Sequence, residues 1–412
     1  MDKIKLGVIG LGQRGSMLLD EIVKIADVEV CAVCDLYTDR VEDAFNKVKE
    51  KCGNEPVKLQ DYHDVLKMPD VKAVLISAAW EAHADIAVDS MRAKKWTALE
   101  VGGAYDISDC QKLVDTYEET KTPFMFLENC CYGRREMMCL NMAKTGVFGE
   151  IVHCDGAYMH DLRKEVSSGA EIRHYRLQNY IHRNCENYPT HELGPIAKIL
   201  NINNGNRMLS LVSVGSKSAG LHSYITDKRG SDDALAKVDF KQSDVVTTII
   251  KCAGGETITL SLNTTLPHAY SRNFNVHGTN AYYAENNDSV FFDGDDGEEN
   301  WKPNWGNAEK YCEKYEHPLW KKYLAEGVHS GHDGMDWLLL NAFFESIRQN
   351  KIPPIDVYDA AAWMSISALS EQSIALGGAP VPIPDFTRGK WIRGISHPQA
   401  ENYRLDAIPD IE

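Results

Sequence analysis

The stretch GLGQRG at residues 10–15 decides the fold of the N-terminal part of the chain, because it is a G-x-G-x-x-G motif. It follows an apolar, strand-like run and opens a segment whose apolar side chains recur with helical spacing. In this context Gly10 permits a tight turn, Gly12 lets the backbone approach a pyrophosphate, and Gly15 allows helix and strand to pack closely. The motif therefore predicts a dinucleotide-binding turn between a strand and a helix.

Strand and helix patterns alternate over the first 128 residues. Alternation of this kind predicts right-handed βαβ crossovers and a doubly wound parallel sheet. We therefore expect an α/β protein with a Rossmann domain in residues 1–128. The predicted strands occupy residues 5–10, 28–34, 71–77, 97–101 and 124–127.

Asp35 ends the second predicted strand, 20 residues after Gly15. A carboxylate at this position accepts a hydrogen bond from the ribose 2′-hydroxyl and repels a 2′-phosphate. An ordinary turn residue is the alternative interpretation, but the glycines upstream favour a cofactor contact. Asp35 therefore indicates NAD rather than NADP.

The loops that follow strands three to five are expected to line the nicotinamide half of the cofactor, because ligands bind beyond the carboxyl ends of such strands. Trp80 and His83 follow the third strand, Glu100 and Val101 the fourth, and Asn129 the fifth. Trp80 also suits a packing role, and His83 also suits a place beside a helix N-terminus.

The pattern changes after residue 128, where longer β-branched segments form hairpins. Residues 245–252 and 257–265 flank a Gly-Gly turn, and residues 274–277 and 281–284 flank Gly-Thr-Asn. We expect residues 129–412 to form a substrate-binding and oligomerisation domain of α+β type, on a large, mostly antiparallel sheet. Since the outer face of such a sheet must be covered or polar, a homo-oligomer, most simply a dimer, is expected.

The segment NYPTHELGP at residues 187–195 is the most unusual part of this second domain. Thr190 suits the N-cap of a helix, so that Tyr188 and His191 would flank its start. A histidine can take or give a proton near neutral pH, although a lone histidine is more often structural. Tyr158 and Arg176 supply further donors, which favours a polar substrate cleft.

Two other groups resemble metal sites. Cys31 and Cys34 form a C-x-x-C, but they lie in a predicted strand, where residues three apart face opposite ways, which favours two buried structural thiols. A second group fits no standard zinc spacing, and its aspartates suit helix caps; no metal is expected there either. Its members are His329, His332, Asp333 and Asp336.

The composition narrows the functional class. The formal net charge of −16 argues against a nucleic-acid partner, since such partners need a basic surface. No apolar run is long enough for a membrane span.

Eleven irregularly placed cysteines favour a reducing compartment. No signal peptide precedes the first strand, so a cytoplasmic protein is expected unless an export signal was trimmed.

Five segments together resemble the Gfo/Idh/MocA oxidoreductases and, more specifically, glycoside hydrolase family 109, the NAD-dependent α-N-acetylgalactosaminidases. They span nearly the whole chain and are far more specific than a Rossmann fingerprint. The matching segments are residues 127–133, 156–163, 188–195, 356–363 and 384–391.

The resemblance implies a set of contacts for each ligand. Cofactor contacts are implied at Gln13, Arg14, Asp35, Trp80 to His83, Glu100, Val101, Asn129, Tyr188, Pro189, Thr190 and His191. Substrate contacts are implied at Tyr158, Arg176, Tyr188 and Tyr270.

The sequence departs from the family pattern at two places. Val101 replaces the lysine of many dehydrogenases, as it does in family 109, but Gly102-Gly103 stands where that family usually has Pro-Ala. Residues 288–305 also match poorly, which leaves the preferred sugar and aglycone open.

The family chemistry implies oxidation of the sugar at C3, loss of the C2 proton, expulsion of the C1 substituent, addition of water and return of the hydride. We assign His191 to proton transfer at the C3 hydroxyl and Tyr158 to the C2 proton. A net NAD-dependent sugar or cyclitol dehydrogenase is the first alternative, and a non-catalytic sugar-binding regulator is the second.

Overall fold

The computed structural model describes residues 3–102, 104–294, 305–329, 332–395 and 399–406 of the chain. The chain divides into two compact units. The first comprises Met1–Tyr132, Lys322–Ala361 and Ser396–Asp406, and the second comprises Gly133–Lys321, Ala362–Ile395 and Ala407–Glu412. The division at residue 128 and the separate roles assigned to the two parts stay predictions.

The first unit contains a six-stranded sheet in the order β3-β2-β1-β4-β5-β6, and all of its pairings are parallel. The predicted doubly wound sheet is therefore confirmed. The sequence missed β3, which has three residues and no buried side chain. The strands are β1 (Ile4–Ile9), β2 (Val28–Cys34), β3 (Val57–Leu59), β4 (Ala73–Ile76), β5 (Trp96–Leu99) and β6 (Phe124–Phe126).

Helices connect these strands and cover the sheet. The amphipathic pattern predicts helices at residues 13–24, 38–52, 81–93 and 108–119, and all four segments are helical to within one or two residues at each end. The helices are α1 (Gln13–Ile22), α2 (Thr38–Cys52), α3 (Tyr62–Lys67), α4 (Trp80–Arg92) and α5 (Ile107–Thr120), followed by a 3₁₀ turn at Asn129–Tyr132.

The second unit is built on an eight-stranded sheet in the order β13-β12-β11-β7-β10-β9-β8-β14. Only the pair β7 and β10 is parallel, so the expected mostly antiparallel sheet is confirmed. Both predicted hairpins are present, as β9–β10 and β11–β12. The strands are β7 (Ile151–Met159), β8 (Met208–Gly215), β9 (Val245–Cys252), β10 (Thr257–Asn263), β11 (Asn275–Gly278), β12 (Ala281–Ala284), β13 (Ser289–Phe292) and β14 (Val381–Pro382).

One face of this second sheet is buried and the other is partly exposed. Along β9 the side chains of Val246, Thr248, Ile250 and Cys252 are buried, and those between them are exposed or half-buried, as the two-residue period of a strand requires. The face with the buried side chains is called the inner face below. Helix α9 (Thr190–Ile199) packs on β7.

The sequence predicts helices at residues 134–145, 335–348 and 357–376, and all three are present. The remaining helices of the chain are α6 (Arg134–Lys144), α7 (Arg163–Ser167), α8 (Arg176–His182), α10 (Gly220–Arg229), α11 (Glu309–Tyr315), α12 (Pro318–Glu326), α13 (Met335–Gln349) and α14 (Val357–Ala375), with 3₁₀ turns at Ala234–Lys237, His332–Gly334 and Lys390–Ile392.

All eleven cysteines are free thiols. Burial raises the pKa of Cys31 to about 11 and that of Cys34 to about 12, so both stay protonated near neutral pH. The interpretation of this pair as structural thiols agrees with that environment. In the described part of the chain, no helix has both the length and the apolar character needed to cross a membrane.

Candidate active site

The glycine loop of the first unit has the geometry of a phosphate cradle. Gly12 caps α1 without a side chain, so no capping hydroxyl or carboxylate occupies the first amides of that helix. A Cβ atom on Gly15 would lie 2.1 Å from the carbonyl oxygen of Gly10, which explains why only glycine fits there. The Ser77 hydroxyl donates to the same carbonyl at 2.7 Å and ties the loop to the end of β4.

Asp35 lies directly after β2, beside this loop. Its Oδ2 accepts a hydrogen bond from the Leu11 amide at 2.7 Å, and its Oδ1 accepts one from the Tyr37 amide at 3.0 Å. Arg40 approaches Oδ2 to 3.8 Å. The carboxylate is thus fixed at the edge where a ribose hydroxyl would be bound. The uncapped helix start and the placement of Asp35 both fit NAD.

Two residues implied as cofactor contacts, Arg14 and Asn129, converge on one buried carboxylate that the sequence had not linked to them. Arg14 donates from Nε to Glu100 at 2.9 Å, and from both terminal nitrogens to Asp336, at 2.7 and 2.8 Å. Asn129 also donates to Asp336, at 2.9 Å. Asp336 lies on α13, more than 300 residues after Arg14, and no short-range pattern marks this contact.

The expectation that Asp333 or Asp336 caps α13 is wrong, since Gly334 is the capping residue and no side chain caps the helix. Burial by itself would raise the pKa of Asp336. The hydrogen bonds from Arg14 and His332 outweigh it and hold that pKa well below its usual range. The ring of His329, which the sequence grouped with these aspartates, stacks on that of Trp337, with ring centroids 4.0 Å apart.

Trp80 and His83 contact the loops that follow β4 and β5. Trp80 is buried, and a Cβ atom on Gly102 would lie 2.2 Å from its indole nitrogen, which explains a glycine where the family usually has proline. A ring nitrogen of His83 lies 2.8 Å from the Ala78 carbonyl oxygen. Burial lowers the pKa of His83 to about 4, so its ring is neutral. Gly103 lies outside the described residues.

Three further residues implied as cofactor contacts differ in their burial and in their place in the helices and loops. Val101 is buried, and its amide donates to Glu100 Oε2 at 3.1 Å. Gln13 is exposed at the first residue of α1. Thr190 is not the helix cap that the sequence predicted, because Pro189 holds that position and Thr190 is the first residue of α9.

In the second unit the structure brings together the tyrosines and the histidine that the sequence singled out. The Tyr158 ring on β7 lies 4.5 Å from that of Tyr188 and 5.8 Å from that of His191, between ring centroids. Tyr188 and His191 meet edge to face at 4.8 Å. Tyr270, half exposed, lies 6.3 Å from Tyr158. These four residues are called the aromatic cluster below.

Arg176 joins this cluster from the first turn of α8. Its guanidinium lies over the Tyr188 ring, 5.0 Å from the centroid, and Nη1 donates to Glu165 Oε1 at 2.6 Å. Burial by itself would raise the pKa of Glu165, but the charge of Arg176 outweighs it and lowers that pKa. Glu165 was not predicted as a site residue, because its spacing from Arg176 in the sequence does not indicate a contact.

The protonation states in and beside the cluster follow from burial. Burial raises the pKa of Tyr158 to about 12, although Arg176 opposes the shift, so the phenol is protonated at neutral pH. His160, two residues further on, lies 5.4 Å from Tyr270 between ring centroids. Burial and the charge of Arg176 lower its pKa. The neutral His160 thus lies beside the protonated Tyr158, and these two side chains can exchange protons with a hydroxyl-rich ligand.

Family models account for both parts of the chain. The model described as "Glycosyl hydrolase 109, C-terminal domain" matches residues 132–393. The model described as "Oxidoreductase family, NAD-binding Rossmann fold" matches residues 4–127.

Curated relatives match over nearly the full length. An α-N-acetylgalactosaminidase of Tannerella forsythia is 36% identical over 413 residues, covering 94% of this chain and 87% of the relative. A protein of the same name from Shewanella oneidensis is 34% identical over 400 residues, covering 95% of this chain and 86% of the relative.

Solved structures share the fold at low identity. A levoglucosan dehydrogenase in complex with NADH and L-sorbose superposes with a TM-score of 0.70 at 18% identity, covering 93% of this chain and 100% of that one. A myo-inositol 2-dehydrogenase from Lactobacillus plantarum gives a TM-score of 0.66 at 16% identity, with coverage of 93% and 100%. The family models and the curated relatives identify this chain as an NAD-binding enzyme that belongs to glycosyl hydrolase family 109.

Proposed function

We propose that this enzyme hydrolyses α-N-acetylgalactosaminides, using NAD⁺ as a hydride acceptor that is regenerated in every turnover. The substrate is suggested by the two relatives named α-N-acetylgalactosaminidase, which align with almost the entire chain. The observation that carries the mechanism is the aromatic cluster, in which His191 lies beside the buried Tyr158 and Tyr188.

A conventional glycosidase needs one carboxylic acid and one carboxylate that both reach the sugar, with NAD-dependent enzymes as an exception. Among the described residues, four carboxylates lie close in sequence to the cluster, and each is either engaged by an arginine or buried. Two are engaged by arginines at 2.6 Å, and two are buried, with 0% and 1% of their surface exposed. They are Asp161 and Glu165, and Glu186 and Glu192, respectively.

The cofactor contacts proposed for the first unit are those with the geometry described above. The glycine loop receives the pyrophosphate at the start of α1, and Asp35 binds the adenosine ribose. The remaining contacts proposed in the first unit are Gly10, Gly12, Gln13, Arg14, Gly15, Trp80, His83, Glu100, Val101 and Asn129. Those proposed in the second unit are Tyr188, Pro189, Thr190 and His191.

Held by these residues, NAD⁺ would supply the hydride acceptor for C3 of the sugar and the hydride that is later returned. His191 takes the proton of the C3 hydroxyl as that carbon becomes a ketone, which acidifies the neighbouring C2 proton. Tyr158 receives the C2 proton, so that the C1 substituent leaves and water adds in its place. Because the phenol is protonated at neutral pH, it must first release its proton to water, and the guanidinium of Arg176 favours that ionisation.

The same cluster also offers contacts that hold a sugar. Tyr270 is half exposed and offers an aromatic ring with a hydroxyl group, while Tyr188 and Arg176 supply further polar groups next to Tyr158. We propose these three residues and Tyr158 as the substrate contacts.

The proposed reaction differs from that of a dehydrogenase in its products. We expect the enzyme to release 4-nitrophenol from 4-nitrophenyl N-acetyl-α-galactosaminide while the absorbance of reduced nicotinamide stays constant. A panel of other sugars under the same conditions defines the specificity. Accumulation of NADH in proportion to the sugar consumed, with no aglycone, would instead establish a net sugar or cyclitol dehydrogenase.

Elimination also leaves an isotopic mark on the sugar. When the reaction runs in deuterated water, the free sugar should carry deuterium at C2, because the proton lost from C2 is replaced from solvent. Direct displacement at C1 leaves C2 untouched. Released sugar without deuterium at C2 would therefore exclude the proposed elimination while leaving the glycosidase activity itself intact.

We further propose that two copies of the chain pair through the outer face of the second sheet. Val214 on β8 and Ile249 on β9 project from this face and are 60% and 52% exposed, which leaves an apolar patch for a second copy to cover. The eleven free thiols support a reducing compartment such as the cytoplasm.

A further inference from the structure

Two histidines and an aspartate meet on the outer face of the second sheet, away from the residues that contact the sugar in the proposal above. His153 and Asp155 alternate with Tyr158 along β7 and therefore project on the opposite side of that strand. His277 projects from the neighbouring strand β11, directly across from His153. These three residues are called the His-Asp-His group below.

The donor atoms of the group converge on one point. Nε2 of His153 lies 3.0 Å from Asp155 Oδ1, and Nε2 of His277 lies 2.9 Å from Asp155 Oδ2. A set of ligand atoms, one from each residue, lies within 4.8 Å of one another. Ligands of a tetrahedral zinc ion are spaced about 3.4 Å apart, so small side-chain rotations are enough to admit an ion.

The surroundings of the group match those of metal ligands. The other ring nitrogen of His153, Nδ1, lies 2.8 Å from the hydroxyl of Thr257, a contact that fixes the ring and aims Nε2 at the shared point. The Asn275 amide donates to Asp155 Oδ2 at 3.3 Å. The side chains of His153, Asp155 and His277 are 28%, 24% and 37% exposed in the single chain, so that an ion can reach them there.

We propose that the His-Asp-His group binds one divalent transition-metal ion per chain, with Zn²⁺ as the preferred ion. Two imidazole nitrogens and one carboxylate oxygen form a donor set that suits Zn²⁺ and leaves a fourth position for water. The ion would join β7 to β11 and so stabilise the sheet. Catalysis as proposed above does not involve this site.

The competing interpretation is a hydrogen-bonded triad that holds the two strands together without any ion.

Untagged protein, treated with a chelator and dialysed, should be titrated with Zn²⁺ by calorimetry, with the bound metal counted by mass spectrometry. We expect one ion per chain. His153→Ala and His277→Ala should each weaken the binding on the order of 100-fold. His222→Ala removes an exposed histidine elsewhere on the second unit and should leave Zn²⁺ affinity unchanged.

Two isosteric variants guard against loss of folding. Asp155→Asn should abolish the visible absorption bands that Co²⁺ shows in a site of low coordination number, and Thr257→Val should weaken Zn²⁺ binding about tenfold. Each variant is compared with the wild type by circular dichroism. Absence of Zn²⁺ binding to the wild type, or binding that persists in folded His153→Ala, His277→Ala and Asp155→Asn variants, would overturn the proposal and leave the hydrogen-bonded triad.

Discussion

His191 is the residue on which the proposed chemistry depends most. It lies in the first turn of α9, with its ring 4.8 Å from that of Tyr188. We expect His191→Ala to lower the turnover number on the order of 100-fold or more, because a lost acid/base group costs that much. Steady-state hydrolysis of the chromogenic glycoside measures the effect. His222→Ala is the control and should retain full activity. If His191→Ala is as active as this control, His191 has no catalytic role and is only a residue at the start of a helix.

Tyr158 permits a separate test, because its proposed step follows oxidation at C3. Tyr158→Phe keeps the ring that packs 4.5 Å from Tyr188 and removes only the hydroxyl. In a single turnover we expect reduced nicotinamide to form and persist, while deuterium exchange at C2 falls below detection. Absorbance and mass spectrometry of the sugar give the two readouts. Unchanged exchange would mean that another group takes the C2 proton.

At the scale of elements, α13 acts as a support for the glycine loop within the first unit. Its buried Asp336 holds both terminal nitrogens of Arg14 and the amide of Asn129. Asp336→Asn should therefore weaken NAD binding about tenfold and lower the free energy of unfolding by about 2 kcal/mol, since Arg14 keeps 26% exposure. Equilibrium binding and denaturant unfolding measure these effects. Asp333→Asn, at an exposed position, is the matched control.

The same contact predicts a pH dependence of stability. The pKa of Asp336 is held below its unfolded value, so the stabilisation is fully present above about pH 4 and is lost as the pH falls further. The difference in free energy of unfolding between wild type and Asp336→Asn should consequently shrink on acidification. A difference that stays constant from pH 7 to pH 3 would show that the ion pair contributes nothing through the charge of Asp336.

The elements that the sequence predicted are those with a local signal. The helices and the two hairpins carry periodicity or turn residues within a short window, and both hairpins are found where they were expected. β3 was missed because its three residues bury no side chain. β8 alternates in the sequence MLSLVSVG and could have been recognised from that pattern.

The candidate site was predictable only as far as its residues lie near a motif. Asp35 and the glycines follow from one fingerprint, and the tyrosines and His191 follow from the resemblance. The roles of Asp336 and Glu165 depend on contacts with Arg14 and Arg176 that no spacing in the sequence encodes. Ion pairs of this kind are identified only once the chain is folded.

At the scale of the whole molecule, the exposed patch on the second sheet predicts the assembly state. Ile249 is 52% exposed in the single chain, and a second copy on this face would bury it. We expect a dimer by light scattering at micromolar concentration and a monomer for Ile249→Asp, because a charge would be buried without a partner. Lys241→Asp, a charge change at an exposed loop position, should remain dimeric. A monomeric wild type would rule out the proposed pairing.

A reaction cycle without net oxidation requires the whole molecule to retain its cofactor. An enzyme that reduces and reoxidises NAD in each turnover gains nothing from releasing it, whereas a dehydrogenase must exchange it. We therefore expect protein purified without added cofactor to release about one NAD(H) per chain on denaturation. Asp35→Ala should lose much of this content, because the carboxylate that selects the ribose hydroxyls is removed. Recovery of NADP, or rapid exchange of the bound cofactor with labelled NAD in solution, would contradict a closed hydride cycle and favour a net oxidoreductase.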